Sequence, residues 1–168
     1  VNRIALLRKC IDIYDKELKQ DQMVTKMYSQ ILELDPSNEE AANELVKRYE
    51  ENKSWNSLLH ILDQIATMTT DKDKAIDTYY HIASIFSSNL GNVAKSIEPL
   101  THIIELDPTQ RKALRQLHEF YEQRNSWQNL YDILAKEAAV AEDAEKIELL
   151  KRQANIAERN LKSTEKAI

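Results

Sequence analysis

Apolar side chains recur along this chain at steps of three and four: Ile4, Leu7, Ile11, Tyr14 and Leu18 form the opening run. That spacing lays a single stripe down one face of an α-helix. The stripe resumes at Val24, Tyr28, Ile31 and Leu32 after a break at Lys19–Asp21. A third follows Pro36 through Ala41, Leu45 and Tyr49. Asn52–Ser54 interrupt it, and Trp55, Leu58, Leu59, Leu62, Ile65 and Ala66 make a fourth. Continued to the end, the pattern predicts helices over 2–18, 22–34, 38–52, 55–67, 73–89, 93–106, 110–124, 127–140 and 143–161, with a tenth from about Thr164. Ser37 followed three residues later by Glu40 predicts a capping box opening the third helix. The Asp-Pro steps at 35–36 and 107–108 end a hairpin, because the residue before proline avoids helical backbone. Pro99 falls inside the sixth helix, where it removes a hydrogen bond and clashes with the preceding turn at a cost of about 3 kcal/mol. It predicts a kink there, the alternative being a helix that starts late with Ser96 as its cap.

The chain also repeats itself. Ile31-Leu32-Glu33-Leu34-Asp35-Pro36 returns 72 residues later as Ile103-Ile104-Glu105-Leu106-Asp107-Pro108. The same offset carries Tyr49 through Trp55 onto Tyr121 through Trp127, and Leu58, Ile61 and Leu62 onto Leu130, Ile133 and Leu134. Upstream, Ile4, Leu7, Tyr14 and Leu18 meet Ile76, Tyr79, Phe86 and Leu90. The last segment realigns at an offset of 71, with Ile76, Ala83 and Ile85 meeting Ile147, Ala154 and Ile156. Self-similarity at a fixed period marks an array, and each 72-residue unit divides into two helix hairpins. A hairpin alone cannot bury both faces, so neighbours must stack around a continuous core.

Composition narrows the picture. One glycine and three prolines in 168 residues leave too few turn residues for a sheet protein. No apolar run approaches the roughly 20 residues of a membrane span, so no membrane insertion is expected. A net charge of −5 disfavours a polyanion partner, and no nucleic acid is expected. The single cysteine, Cys10, excludes an internal disulfide framework and fits a reducing, cytoplasmic setting. The opening Val1 and the ending within a helical pattern read as a segment of a longer protein.

At this point the residues resemble the tetratricopeptide repeat family. Ile82, Ala83, Phe86, Gly91, Ser96, Leu100 and Pro108 fill its pattern of large, small and aromatic positions, a turn, a second helix and a closing proline. Leu45, Val46, Tyr49, Leu58 and Leu62 fill it in the preceding hairpin, and Leu117, Tyr121, Leu130 and Leu134 in the following one. The alternation of Asp-Pro-ended and Trp-bearing hairpins is similar to tandem arrays of bacterial proteins. Lys19 and Lys53 depart from it where glycine is usual, His118 and Val46 where a small residue is usual, and Ile31 and Ile103 where alanine is usual. The resemblance implies an all-α, right-handed superhelical solenoid of antiparallel helix hairpins. Four hairpins (2–36, 37–70, 72–108 and 109–141) and a partial fifth (143–168) would form a single domain whose first helices line a concave groove.

Polar residues flanking each hairpin's key apolar position are the candidate groove contacts: Arg8 and Asp12, Asn43 and Lys47, Tyr80 and Ser84, Arg115 and Glu119, Lys151 and Asn155. Family members that grip a C-terminal carboxylate use a basic residue with an asparagine four positions on. Lys151 and Asn155 match half of that clamp, Arg8–Asp12 puts a repelling carboxylate in it, and Asn43–Lys47 reverses it. A complete clamp is not expected.

Other chemistry is sparse. Trp55 and Trp127 open second helices at one repeat position and are expected to pack in the core. His60, His81, His102 and His118 lack zinc-motif spacing, so no metal and no cofactor are expected. Pairs such as Glu39/Glu40 sit on adjacent helix positions that point apart. Gly91 reads as a turn, with no phosphate loop or nucleophile elbow. The tyrosines lie mostly on apolar stripes, Tyr80 alone facing the groove, which argues against a stacking platform for RNA. The expected function is a protein- or peptide-binding scaffold rather than an enzyme. Self-association through exposed terminal hairpins is the alternative, and repeat-type RNA binding a more distant one.

Overall fold

The computed structural model describes residues 2–161. Among them are α1 (Arg3–Lys16), α2 (Asp21–Leu34), α3 (Glu39–Glu51), α4 (Trp55–Met68), α5 (Lys72–Ser84), α6 (Ile97–Leu106), α7 (Arg111–Gln123), α8 (Trp127–Val140) and α9 (Asp143–Arg159). The sequence pattern locates each of the nine to within a few residues, because the stripes and their breaks mark the ends. The expected tenth helix lies outside the described residues. A π-helical turn, Ile85–Asn89, prolongs α5, and a 3₁₀ turn, Val93–Ser96, leads into α6.

Local chemistry closes the turns, and it repeats with the sequence. Ser54 N–H donates to the Tyr49 carbonyl at 2.8 Å and Lys53 N–H to that of Glu50 at 3.0 Å, a Schellman ending. Seventy-two residues on, Ser126 N–H donates to Tyr121 and Asn125 N–H to Glu122 in the same way. The residue at the left-handed position is Lys53 in one copy (φ 54°) and Asn125 in the other (φ 53°). The earlier turns match likewise: Gln20 N–H donates to the Tyr14 carbonyl and Asn92 N–H to that of Phe86, around Lys19 (φ 52°) and Gly91 (φ 62°).

After each Asp-Pro step the aspartate ties the following turn. Asp35 Oδ1 accepts from the Ser37 N–H and hydroxyl (3.2 and 2.7 Å) and Oδ2 from Asn38 Nδ2 at 3.1 Å. Asp107 does the same with Thr109 and Gln110. These bonds to the ionised carboxylate hold the Asp35 pKa below the ordinary aspartate range. They also overturn the expected capping box. Ser37 turns back to Asp35, and Asn38 is the cap of α3, its side chain accepting from the Ala41 N–H at 3.1 Å. Pro99 likewise departs from the expected kink. With Ser96 as N-cap, α6 begins at Ile97, so Pro99 falls in the first turn, where a helix has no intrahelical partner for its N–H groups.

The helices fall into two compact units, Val1–Thr78 and Tyr79–Ile168, with the boundary inside α5. In the first, α1 packs on α2, α2 on α3 and α3 on α4, each antiparallel to the next. Its core joins Leu7, Ile11, Val24, Ile31, Leu45 and Ile61, with Val46 and Ile65 among the partly buried side chains against it. Fully burying a leucine or isoleucine of this kind contributes about 2 kcal/mol. In the second unit, α6 packs on α7, α7 on α8 and α8 on α9. Leu130, Leu134 and Ile156 form a core cluster there, with Trp127 half-buried against it. Trp55, its counterpart, is half-buried at the start of α4.

Candidate functional site

Within each unit the first helices of successive hairpins stand side by side, joined by side-chain bridges. In the first unit Arg8 Nη2 of α1 donates to Glu40 Oε2 of α3 at 2.5 Å, and Lys74 Nζ of α5 donates to Glu39 Oε1 at 2.5 Å. In the second, the Tyr80 hydroxyl donates to Gln110 Oε1 at 3.4 Å, while Lys112 Nζ of α7 lies 4.8 Å from the centre of the Tyr80 ring. Arg111 and Arg115 of α7 both reach Glu145 of α9, and Arg152 of α9 reaches Glu122 of α7. Hydrogen bonds from Arg115 and then Arg111 hold the Glu145 carboxyl below the ordinary glutamate range. Exposed pairs such as Arg8–Glu40 contribute about 0–1 kcal/mol each, so they align the row more than they hold it together.

The structure gives the candidate residues unequal roles. Arg8 is committed to Glu40, Asp12 to Lys16 at 3.0 Å, and Arg115 to Glu145. Tyr80 is half-buried under Lys112, and Asn155 Nδ2 donates to the Lys151 carbonyl at 3.2 Å. Lys47, Ser84 and Lys151 are exposed. Asn43 lines a cavity of about 210 Å³ in the first unit with Pro36, Gln64, Met68 and Lys74. Glu119 lines a smaller one of about 140 Å³ in the second, with Ser87, Val93, Gln116 and Phe120.

Periodicity alone missed three features. An open trough of about 600 Å³ runs between α2 and α4, floored by Leu32, Leu45 and Ile61 and rimmed by Ser29, Glu33 and His60. It lies between second helices, not along the row of first helices. Arg48, 12% exposed, sits among Asp15 of α1, Asp21 of α2 and Glu44 of its own helix, with its guanidinium 5.8 Å from the Tyr28 ring centre. Burial, followed by Glu44 and Glu40, raises the Tyr28 pKa. His118 Nδ1 of α7 lies 2.5 Å from Glu137 Oε2 of α8, with side chains only 12% and 9% exposed. The signal for both was available in the repeat itself: the equivalents of Arg48, His118 and Glu137 are Phe120, Val46 and Ile65, a change of chemistry at otherwise matched positions.

Among the described residues no group of three or more His, Cys, Asp or Glu is placed to hold a metal ion. None of the described helices is long and apolar enough to cross a membrane.

Sequential antiparallel hairpins, proline-closed and matched at a 72-residue register, make this a tetratricopeptide-like helical repeat protein. No family model matches the chain, and no curated protein matches it. Among solved structures it is similar to MamA, with a TM-score of 0.46 and 16% identity over 98% of this chain and 85% of that one. A second MamA structure gives 0.45 and 17% identity, covering 94% and 87%. A kinesin light chain with nearly identical TPR-like repeats from Podosopora anserina gives 0.42 and 15%, covering 98% and 92%.

Proposed function

We propose that the chain is a binding module that receives a protein or peptide partner on the first helices of its hairpins. Helical-repeat folds of this kind generally serve as interaction scaffolds. The reading is supported by the first helices that stand side by side within each unit: Lys47 is exposed on α3 in the first unit, and Ser84, Glu119 and Lys151 are exposed on α5, α7 and α9 in the second. Their mixed charge suits scattered polar contacts to an extended segment or a helix, with buried side chains beneath fixing their positions. Binding rather than turnover is the activity we assign to this surface.

Selection of a displayed peptide library on the whole chain tests this. Binders should weaken at least several-fold when Lys47 or Lys151 is changed to glutamate or Glu119 to lysine, measured by calorimetry. A library without binders, or binders indifferent to the changes at Lys47, Glu119 and Lys151, overturns the reading.

One observation favours self-association as a second reading. Leu6 and Ile13 of α1 are 54% and 47% exposed, and Ile147 and Leu150 of α9 are 54% and 45% exposed. Apolar faces of this sort attract partners. Sedimentation velocity should then show a reversible oligomer that Leu6→Glu or Ile147→Glu disperses; a monomer up to high micromolar concentration removes this reading.

A further inference from the structure

Two halves that repeat at 72 residues face a hazard: a helix from one half can dock in the place of its counterpart in the other. Misassembly of this type is a characteristic failure of repeat proteins. Two polar clusters lie where such an exchange would be felt: one around the mostly covered Arg48, whose carboxylate partners are themselves exposed, and one around the mostly covered pair His118 and Glu137. In the first unit Arg48 is surrounded by Asp15, Asp21 and Glu44. The equivalent four positions in the second unit are Phe120, Ser87, Val93 and Gln116, all neutral, and all four line one cavity. In the second unit His118 meets Glu137, with Glu122 Oε2 at 3.8 Å from His118 Nε2 and Arg152 behind Glu122. On the neighbouring α6, His102 pairs with Glu105 instead. The positions of His118 and Glu137 are taken in the first unit by Val46 and Ile65, which pack against its apolar core.

Each unit thus builds with charge where the other builds without it. We propose that these clusters are pairing keys, which make α3 acceptable only to α1, α2 and α4, and α7 only to its own neighbours. Docked in the place of α3, α7 would set Phe120 against Asp15 and Asp21 and His118 against Ile65. The reverse exchange would set the Arg48 guanidinium beside Ser87 and Val93 with only Glu44 of its own helix left as a partner, and leave Glu137 facing Val46. Stranding a buried charge is strongly disfavoured, whereas replacing a whole buried pair by apolar residues of similar size is often neutral or stabilising. The clusters therefore act mainly against wrong pairings and contribute little to the right one.

The test uses the full chain. His118→Val and Glu137→Ile together should leave the folded-to-unfolded ratio within about tenfold of the parent, while Glu137 opposite the single change His118→Val should lower it by about a hundredfold or more. The same double change combined with Asp15→Ser, Asp21→Val, Glu44→Gln and Arg48→Phe makes the two halves alike at every key position. Refolded across a range of concentrations, that variant should give several-fold more swapped oligomer than the parent by size exclusion with light scattering. In case it fails to fold, the reciprocal transplant serves: Ile65→Glu alone should destabilise the first unit, and Val46→His should rescue it. A double His118/Glu137 variant as unstable as the single one, a levelled variant that refolds as cleanly as the parent, or a transplant without rescue would each overturn the proposal.

Discussion

Lys19, Lys53 and Asn125 hold a left-handed backbone that costs a side-chain-bearing residue about 1–2 kcal/mol, and Gly91 occupies the remaining position of the set. Lys53→Gly removes that cost and loses part of it to the greater freedom of glycine in the unfolded chain, for a net gain of about 0.5 kcal/mol. Gly91→Ala should lose about 1–2 kcal/mol. No atom lies within 4 Å of the added methyl group, so the loss is one of backbone alone. Urea denaturation of both variants checks the pair. Glu145 makes a second residue-scale prediction. Its carboxyl is stabilised in the ionised form by Arg115 and Arg111. The resulting stability is present above the unfolded carboxylate range and is lost as pH falls through the lowered folded value. An NMR titration should place Glu145 below ordinary glutamates, and Arg115→Ala should move it back up. The turn lysines were legible as departures from a glycine pattern. Glu145 was not, because a pairing between helices about 30 residues apart leaves no trace in local periodicity.

At the scale of the element, the boundaries were legible wherever a stripe stopped at a turn residue. Two details were not. Ser37 and Asn38 are both good caps in sequence, and only the grip of Asp35 on the Ser37 hydroxyl decides between them. Asn38→Ala should therefore cost about 1 kcal/mol, while Ser37→Ala should leave the α3 cap intact. Thermal melts that rank the two the other way would restore the capping box. Pro99 departs from the expected kink because a 3₁₀ turn and a first helical turn share one apolar spacing, so the stripe runs through Val93–Ser96 without marking where α6 begins. Core positions carry larger effects. Leu45 is fully buried among the first unit's aliphatic side chains, and Leu45→Ala should lose about 3 kcal/mol in a chemical melt.

At the scale of the molecule, most interhelical ion pairs among the described residues are exposed, and each contributes about 0–1 kcal/mol. Raising salt to molar concentration should shift the unfolding midpoint less than Leu45→Ala does, because screening removes only those pairs. The repeat and helix content were legible because every copy restates them. The candidate contacts were legible as positions only, since Arg8, Asp12 and Arg115 spend their charge inside the chain. Comparing the two copies residue by residue finds what periodicity does not, namely the matched sites where one half is charged and the other neutral.

The aspartate knots at 35 and 107 have a consequence for how such a chain changes length. Every bond in them spans two or three residues. A joint tied so locally travels with its own segment, and a gene that duplicates or drops a 72-residue block carries the fastening along. Descendants of different lengths can then arise in one recombination step without a new linker having to evolve.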